Sequence, residues 1–84
     1  MPVFGLFVVR PPDGVATVTA VKADRLMETV GTLRRMKMNG FHVHPLGQVT
    51  VDQDSRPSAQ AAIQVHVRTL FMRAARVPAI SVVW

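Results

Sequence analysis

Between Arg10 and Val15 the chain runs Pro11-Pro12-Asp13-Gly14, a stretch that neither a helix interior nor a central strand can absorb. Two adjacent prolines lack backbone donors and fix φ at about −65°, and Asp-Gly is turn chemistry. The runs on either side are therefore separate elements. Val3–Arg10, VFGLFVVR, is short and rich in Phe and Val, while Val15–Lys22, VATVTAVK, alternates apolar with small polar residues. Both read as strands, and the breaker between them predicts a hairpin.

Helix signals follow. Asp24 is a suitable N-cap, Leu26, Val30 and Leu33 share one helical face flanked by Met27, and Asn39-Gly40 is a stop signal, so a helix is predicted here despite Gly31. Phe41–His44 and Gln48–Val51 read as two short strands, or as one strand bent at Pro45. Asp52–Ser58 is a polar loop in which Asp54 or Ser55 caps a second helix carrying Pro57 in its first turn. Two patterns compete from Ala59 to Val77. The segments AQAA and FMRAAR favour helix, whereas IQVHVRT alternates like a strand. The stripe Ala59, Ile63, Val67, Leu70 and Ala74 tips the reading to helix, with Pro78 as its stop and Ala79–Trp84, AISVVW, as a final strand.

An internal echo between Thr32–Val43 and Thr69–Val82 supports this order: two β-α-β units behind an extra N-terminal strand. The expectation is an α+β fold, ferredoxin-like in outline, with both helices on one face of a mainly antiparallel sheet of four or five strands. The alternative is a mostly β domain with one helix, in which Ile63–Phe71 is extended.

Composition bounds the rest. Residues 1–84 suffice for one small domain with a thin core, and without cysteine neither disulfides nor thiolate zinc sites can reinforce it. No apolar run approaches the ~20 residues that cross a bilayer, and the start MPVFGLFVVRPPDG makes a poor signal peptide, so the expected location is cytoplasmic, away from membranes. Ten Lys+Arg against five Asp+Glu give a net charge of +5, and only Lys22 and Lys37 are lysines. Guanidinium groups suit phosphates and carboxylates, so the excess points to an acidic partner; GC-rich coding would also favour Arg.

Catalytic patterns are sparse. On a strand His42 and His44 point to one face and are the best metal candidates, with His66, Asp52 or Asp54 as the third ligand they would need, but no H-E-x-x-H accompanies them, and a solvent-facing strand pair is the simpler reading. Asp52 and Asp54 are explained by helix capping. No G-x-S-x-G occurs, and the five glycines match neither phosphate-binding fingerprint. No enzyme activity, metal or cofactor is expected.

The basic residues are the strongest lead. Arg34, Arg35 and Lys37 close the first helix, and Arg68, Arg73 and Arg76 run along the second. With both helices on one face, these six would merge into one cationic patch for an acidic macromolecule: a protein or, alternatively, nucleic acid held through its phosphates. Val82, Val83 and Trp84, in an apolar strand with no charged gatekeeper, are candidate homodimer contacts if that strand lies at an edge. The expected function is a non-catalytic binding or regulatory module. Accessory proteins of phages and plasmids, including inhibitors of host defence of the anti-CRISPR type, offer an analogy of size and class only. The alternatives are a basic nucleic-acid binder and a small metal-dependent enzyme using the histidines.

Overall fold

A computed structural model describes all 84 residues. The chain forms β1 (Val3–Arg10), β2 (Thr17–Lys22), a single 3-10 turn (Ala23–Arg25), α1 (Leu26–Met38), β3 (His42–Thr50), α2 (Arg56–Leu70) and β4 (Ala79–Val83). β1 and β2 make the antiparallel hairpin, in register from Phe4 opposite Lys22 to Val9 opposite Thr17. The second strand starts two residues later than expected, and Val15 stands exposed in the connection.

Local chemistry accounts for the helix ends, with two departures from expectation. Asp24 does not cap α1. It lies in the 3-10 turn, and the N-cap position falls to Arg25, which makes no side-chain capping bond. The C-terminus follows the Asn39-Gly40 signal. Gly40 adopts φ +87°, its N–H donates to the Lys37 carbonyl, and the Phe41 N–H donates to the Met36 carbonyl, which is the Schellman arrangement. In α2 the Ser55 hydroxyl accepts from the Ser58 N–H at 3.4 Å, with Pro57 in the first turn. Ile63–Leu70 is helical, so the one-helix alternative is excluded. The helix stops at Leu70, well before Pro78. Phe71 turns back onto the core, and residues 71–78 carry the chain to the far sheet edge.

Gly31 is exposed within α1, and a methyl group added there would meet nothing within 4 Å. Gly31→Ala is therefore expected to stabilise the protein by about 0.5–1 kcal/mol, through lost unfolded-state freedom. Thermal melts of the two proteins check it; no rise in midpoint would mean that α1 is not helical through Gly31.

The sheet has four strands in the order β3-β1-β2-β4. β1 pairs antiparallel with both neighbours, while β2 and β4 pair in parallel, so the sheet is mixed. β2, β3 and β4 all point the same way, opposite to β1. The crossover from β2 to β3 passes over β1 in one direction, and that from β3 to β4 returns across β1 and β2 in the other. Right-handed crossovers that traverse a sheet in opposite directions must use opposite faces.

Packing agrees. Ala59, Ile63 and Val67 of α2 join Phe4, Leu6, Val18, Ala20, Val49 and Val51 in one buried cluster. On the other face, a side chain added at Gly5 would touch Leu26 of α1 at 3.9 Å. Val9, Val21 and Leu33 are buried outside the α2 cluster, on the α1 side. The expectation of two helices on one face, and with it the ferredoxin-like outline, is thus corrected: each helix covers its own face. β1 is covered on both sides, which is why VFGLFVV reads as a continuous apolar run instead of alternating.

β3 is one strand with an irregularity where it passes from opposite Leu6 to opposite Phe7, at Leu46-Gly47. Gly47 has φ +110°, a conformation only glycine adopts readily. Pro45 sits next to this kink, and the strand continues to Thr50. The single-strand alternative therefore holds, with the irregularity at Leu46-Gly47 and not at Pro45.

Candidate functional site

Because β2, β3 and β4 are parallel, both helices must run back against them. α1 leaves the Lys22 end of the sheet and returns the chain to His42, which lies opposite Arg10. α2 leaves the Thr50 end and returns it to Ala79, which lies opposite Thr17. The helix C-termini therefore reach the same end of the sheet, although on different faces.

That placement gathers the charges. Arg34, Arg35 and Lys37 close α1, Arg68 closes α2, and Arg73 and Arg76 follow in the connection to β4. Arg10 ends β1 between them. Seven of the ten cations thus lie at one end, all exposed, with Asp13 as the single acid, leaving +6 there. Lys22, Arg25 and Arg56 share the other end with Asp24, Glu28, Asp52 and Asp54, for −1, which restores the net +5. Both ion pairs lie at this second end: Lys22 with Asp54 at 3.0 Å, and Arg25 with Glu28 at 3.6 Å. The seven cations of the first end form none.

Two features of the expected patch are corrected. Arg73 and Arg76 are not on a helix, since α2 ends at Leu70. The two sets of cations do not lie side by side on one face; they wrap around a common end from opposite faces. Some of this charge offsets the negative helix C-termini. Six of the seven, Arg10, Arg34, Lys37, Arg68, Arg73 and Arg76, have no hydrogen-bonding side-chain partner. Only Arg35 is tied, donating to the Thr32 hydroxyl at 3.5 Å.

His42 and His44 are exposed at this same end and share a face of β3, opposite Arg10 and Val8. His66 is half-buried on α2. No three His, Cys, Asp or Glu side chains come together as a metal-holding group, and a guanidinium beside His42 opposes a cation there.

Val82 and Val83 belong to β4, which is an edge strand, with Trp84 directly after it. Val82 and Trp84 pack on the α2 side. Trp84 builds a cluster that sequence reasoning did not anticipate. Its ring lies 5.7 Å from that of Phe4, and the Lys22 ammonium sits 4.3 Å above it while also pairing with Asp54. The signal was positional. Phe4 opposes Lys22, and Val21 opposes Val83, so the next step brings Lys22 level with Trp84. Only the strand register reveals it. An open cleft of about 430 Å³ separates α2 from β4, lined by Gln60, Gln64, Arg68 and Ile80 among others.

No protein-family model, curated protein or solved structure matches the chain.

Proposed function

We propose that this protein is a non-catalytic docking module that binds an acidic macromolecular partner through its cationic end. One observation carries the reading: seven exposed cations, unpaired with any carboxylate, collect at one end of the sheet with a single acid among them. Charges so arranged attract and orient an acidic surface, and leaving them without internal partners makes them available to it. The first partner class is an acidic protein face. Regulation by covering such a face is the action of a small accessory protein, as with phage or plasmid inhibitors of host defence, and it places the protein in the cytoplasm with its partner. No helix is long and apolar enough to cross a membrane.

A second reading, nucleic acid, is favoured by the chemistry of the cations, since six of the seven are arginines suited to phosphate oxygens. All five aromatic residues are buried or half-buried. Contact would then run through the backbone of a duplex, not through stacked bases.

The test is capture from host lysate with and without nuclease, using the native protein and the variant Arg34→Glu/Arg35→Glu/Arg73→Glu/Arg76→Glu. Binding that survives nuclease and is lost in the variant supports the acidic protein. Binding that nuclease abolishes supports the second reading, and should then weaken by ~100-fold or more in the variant at moderate salt. Retention of full binding by the variant overturns both. Reversal of Arg25 and Arg56, exposed at the other end, is the control.

A further inference from the structure

The two edges of the sheet are not alike. β3 is a poor edge for pairing with another chain: Pro45 lacks an N–H, the strand is kinked at Leu46-Gly47, and His42 and His44 stand exposed on it. Irregularities of this kind are how exposed edges avoid pairing. β4 has none of them. Ala79–Val83 contains no proline, glycine or charge, and bonds to β2 along one side only. Its outer row of backbone groups is open.

We infer that β4 pairs with β4 of a second copy of this chain, antiparallel about a two-fold axis at Ser81, to form one continuous eight-stranded sheet. Charge selects both the occupant and the direction. The strand itself is uncharged, so self-pairing brings no repulsion along the ladder. Each copy is polar from end to end, +6 at one end and −1 at the other. Antiparallel pairing sets the cationic end of each copy beside the acid-bearing end of its partner, whereas parallel pairing would set the two cationic ends together. An acidic peptide would find no cation on the strand to meet it.

The two-fold register follows from the five residues. Ser81 faces Ser81 of the partner subunit, with Ile80 beside the partner's Val82 and Ala79 beside the partner's Val83. On the α2 side, Ile80 and Val82 are half-buried and extend the apolar surface across the junction. Ser81 is exposed on the other side, where α1 lies over β2 and β3. A ladder this short makes about four to six backbone bonds, and interfaces at this end of the size range associate reversibly. Arg34, Arg35 and Lys37 close the helix that leads into β3, at the far edge, and stay free in the dimer.

Sedimentation velocity of the full chain from about 1 µM to 1 mM tests this, with two lysine variants. Ser81→Lys sets two ammonium groups opposite each other at the axis, where like charges repel. Gln48→Lys places the same charge on β3. The native protein and Gln48→Lys are expected to pass from one to two copies as concentration rises. Ser81→Lys is expected to associate at least tenfold more weakly, with an unchanged thermal midpoint at low concentration because Ser81 is exposed. A native protein that stays monomeric throughout overturns the inference. So does a dimer that Ser81→Lys leaves intact, or one that Gln48→Lys dissociates.

Discussion

Ile63→Ala is expected to destabilise the protein by about 3 kcal/mol and to lower its thermal midpoint by about 12–24 °C. Ile63 is fully buried and sits midway along the α2 stripe, between Ala59 and Val67. Only 12 of the 84 residues are buried, and none of them is polar. A small core has few neighbours able to collapse into the space left by three carbons, so the cavity cost stays near the middle of the usual range. The milder Ile63→Val should cost about 1 kcal/mol. Circular-dichroism melts of both variants measure this directly. A fall of less than about 4 °C for Ile63→Ala would mean that α2 is not seated on the sheet as described.

Trp84→Ala comes next, at about 2–3 kcal/mol. The ring covers Phe4, which is itself fully buried, and carries Lys22 on its face. Full truncation of a buried aromatic costs roughly 3–5 kcal/mol, and Trp84 is only half-buried, so the expected loss lies below that range. Most of it comes from opening the core beside Phe4. The cation–π contact contributes about 0.5–1 kcal/mol at such a partly exposed site, and the Lys22–Asp54 pair less than about 1 kcal/mol because Asp54 is largely in solvent. Trp84→Phe should therefore recover the greater part of the loss. If Trp84→Ala and the native protein melt together, the Phe4–Trp84–Lys22 cluster contributes nothing to stability.

The elements were legible in the sequence because their signals are local. Pro11-Pro12-Asp13-Gly14 announces the hairpin, Asn39-Gly40 ends α1, and Ser55 with Pro57 opens α2. Even the contested segment resolved correctly, since Ala59, Ile63 and Val67 at helical spacing outweighed the alternation of IQVHVRT. The arrangement of elements was not legible. Whether two helices share a face depends on the direction in which each crossover traverses the sheet, and that depends on strand order, which is written nowhere in local spacing. The apolar run of β1 did carry a hint: a strand buried on both faces need not alternate. For the same reason the cations were identified residue by residue, yet their grouping was misplaced. Those on the helices and after them meet at one end of the sheet because β2, β3 and β4 run the same way, not because the helices are neighbours. The end of α2 was set too late because Pro78 marks only where a helix must have stopped. Phe71 returning to the core sets the actual end.

The order β3-β1-β2-β4 also bears on how the sheet is built. The first two strands made are the central pair, joined by a short connection that closes quickly. The third adds outside the first, and the fourth outside the second. Each newcomer meets an edge already standing, and none has to prise apart two partners to find its place. A strand order of this kind lets each later strand add to a standing edge, and it leaves β3 and β4 each held by a single neighbour.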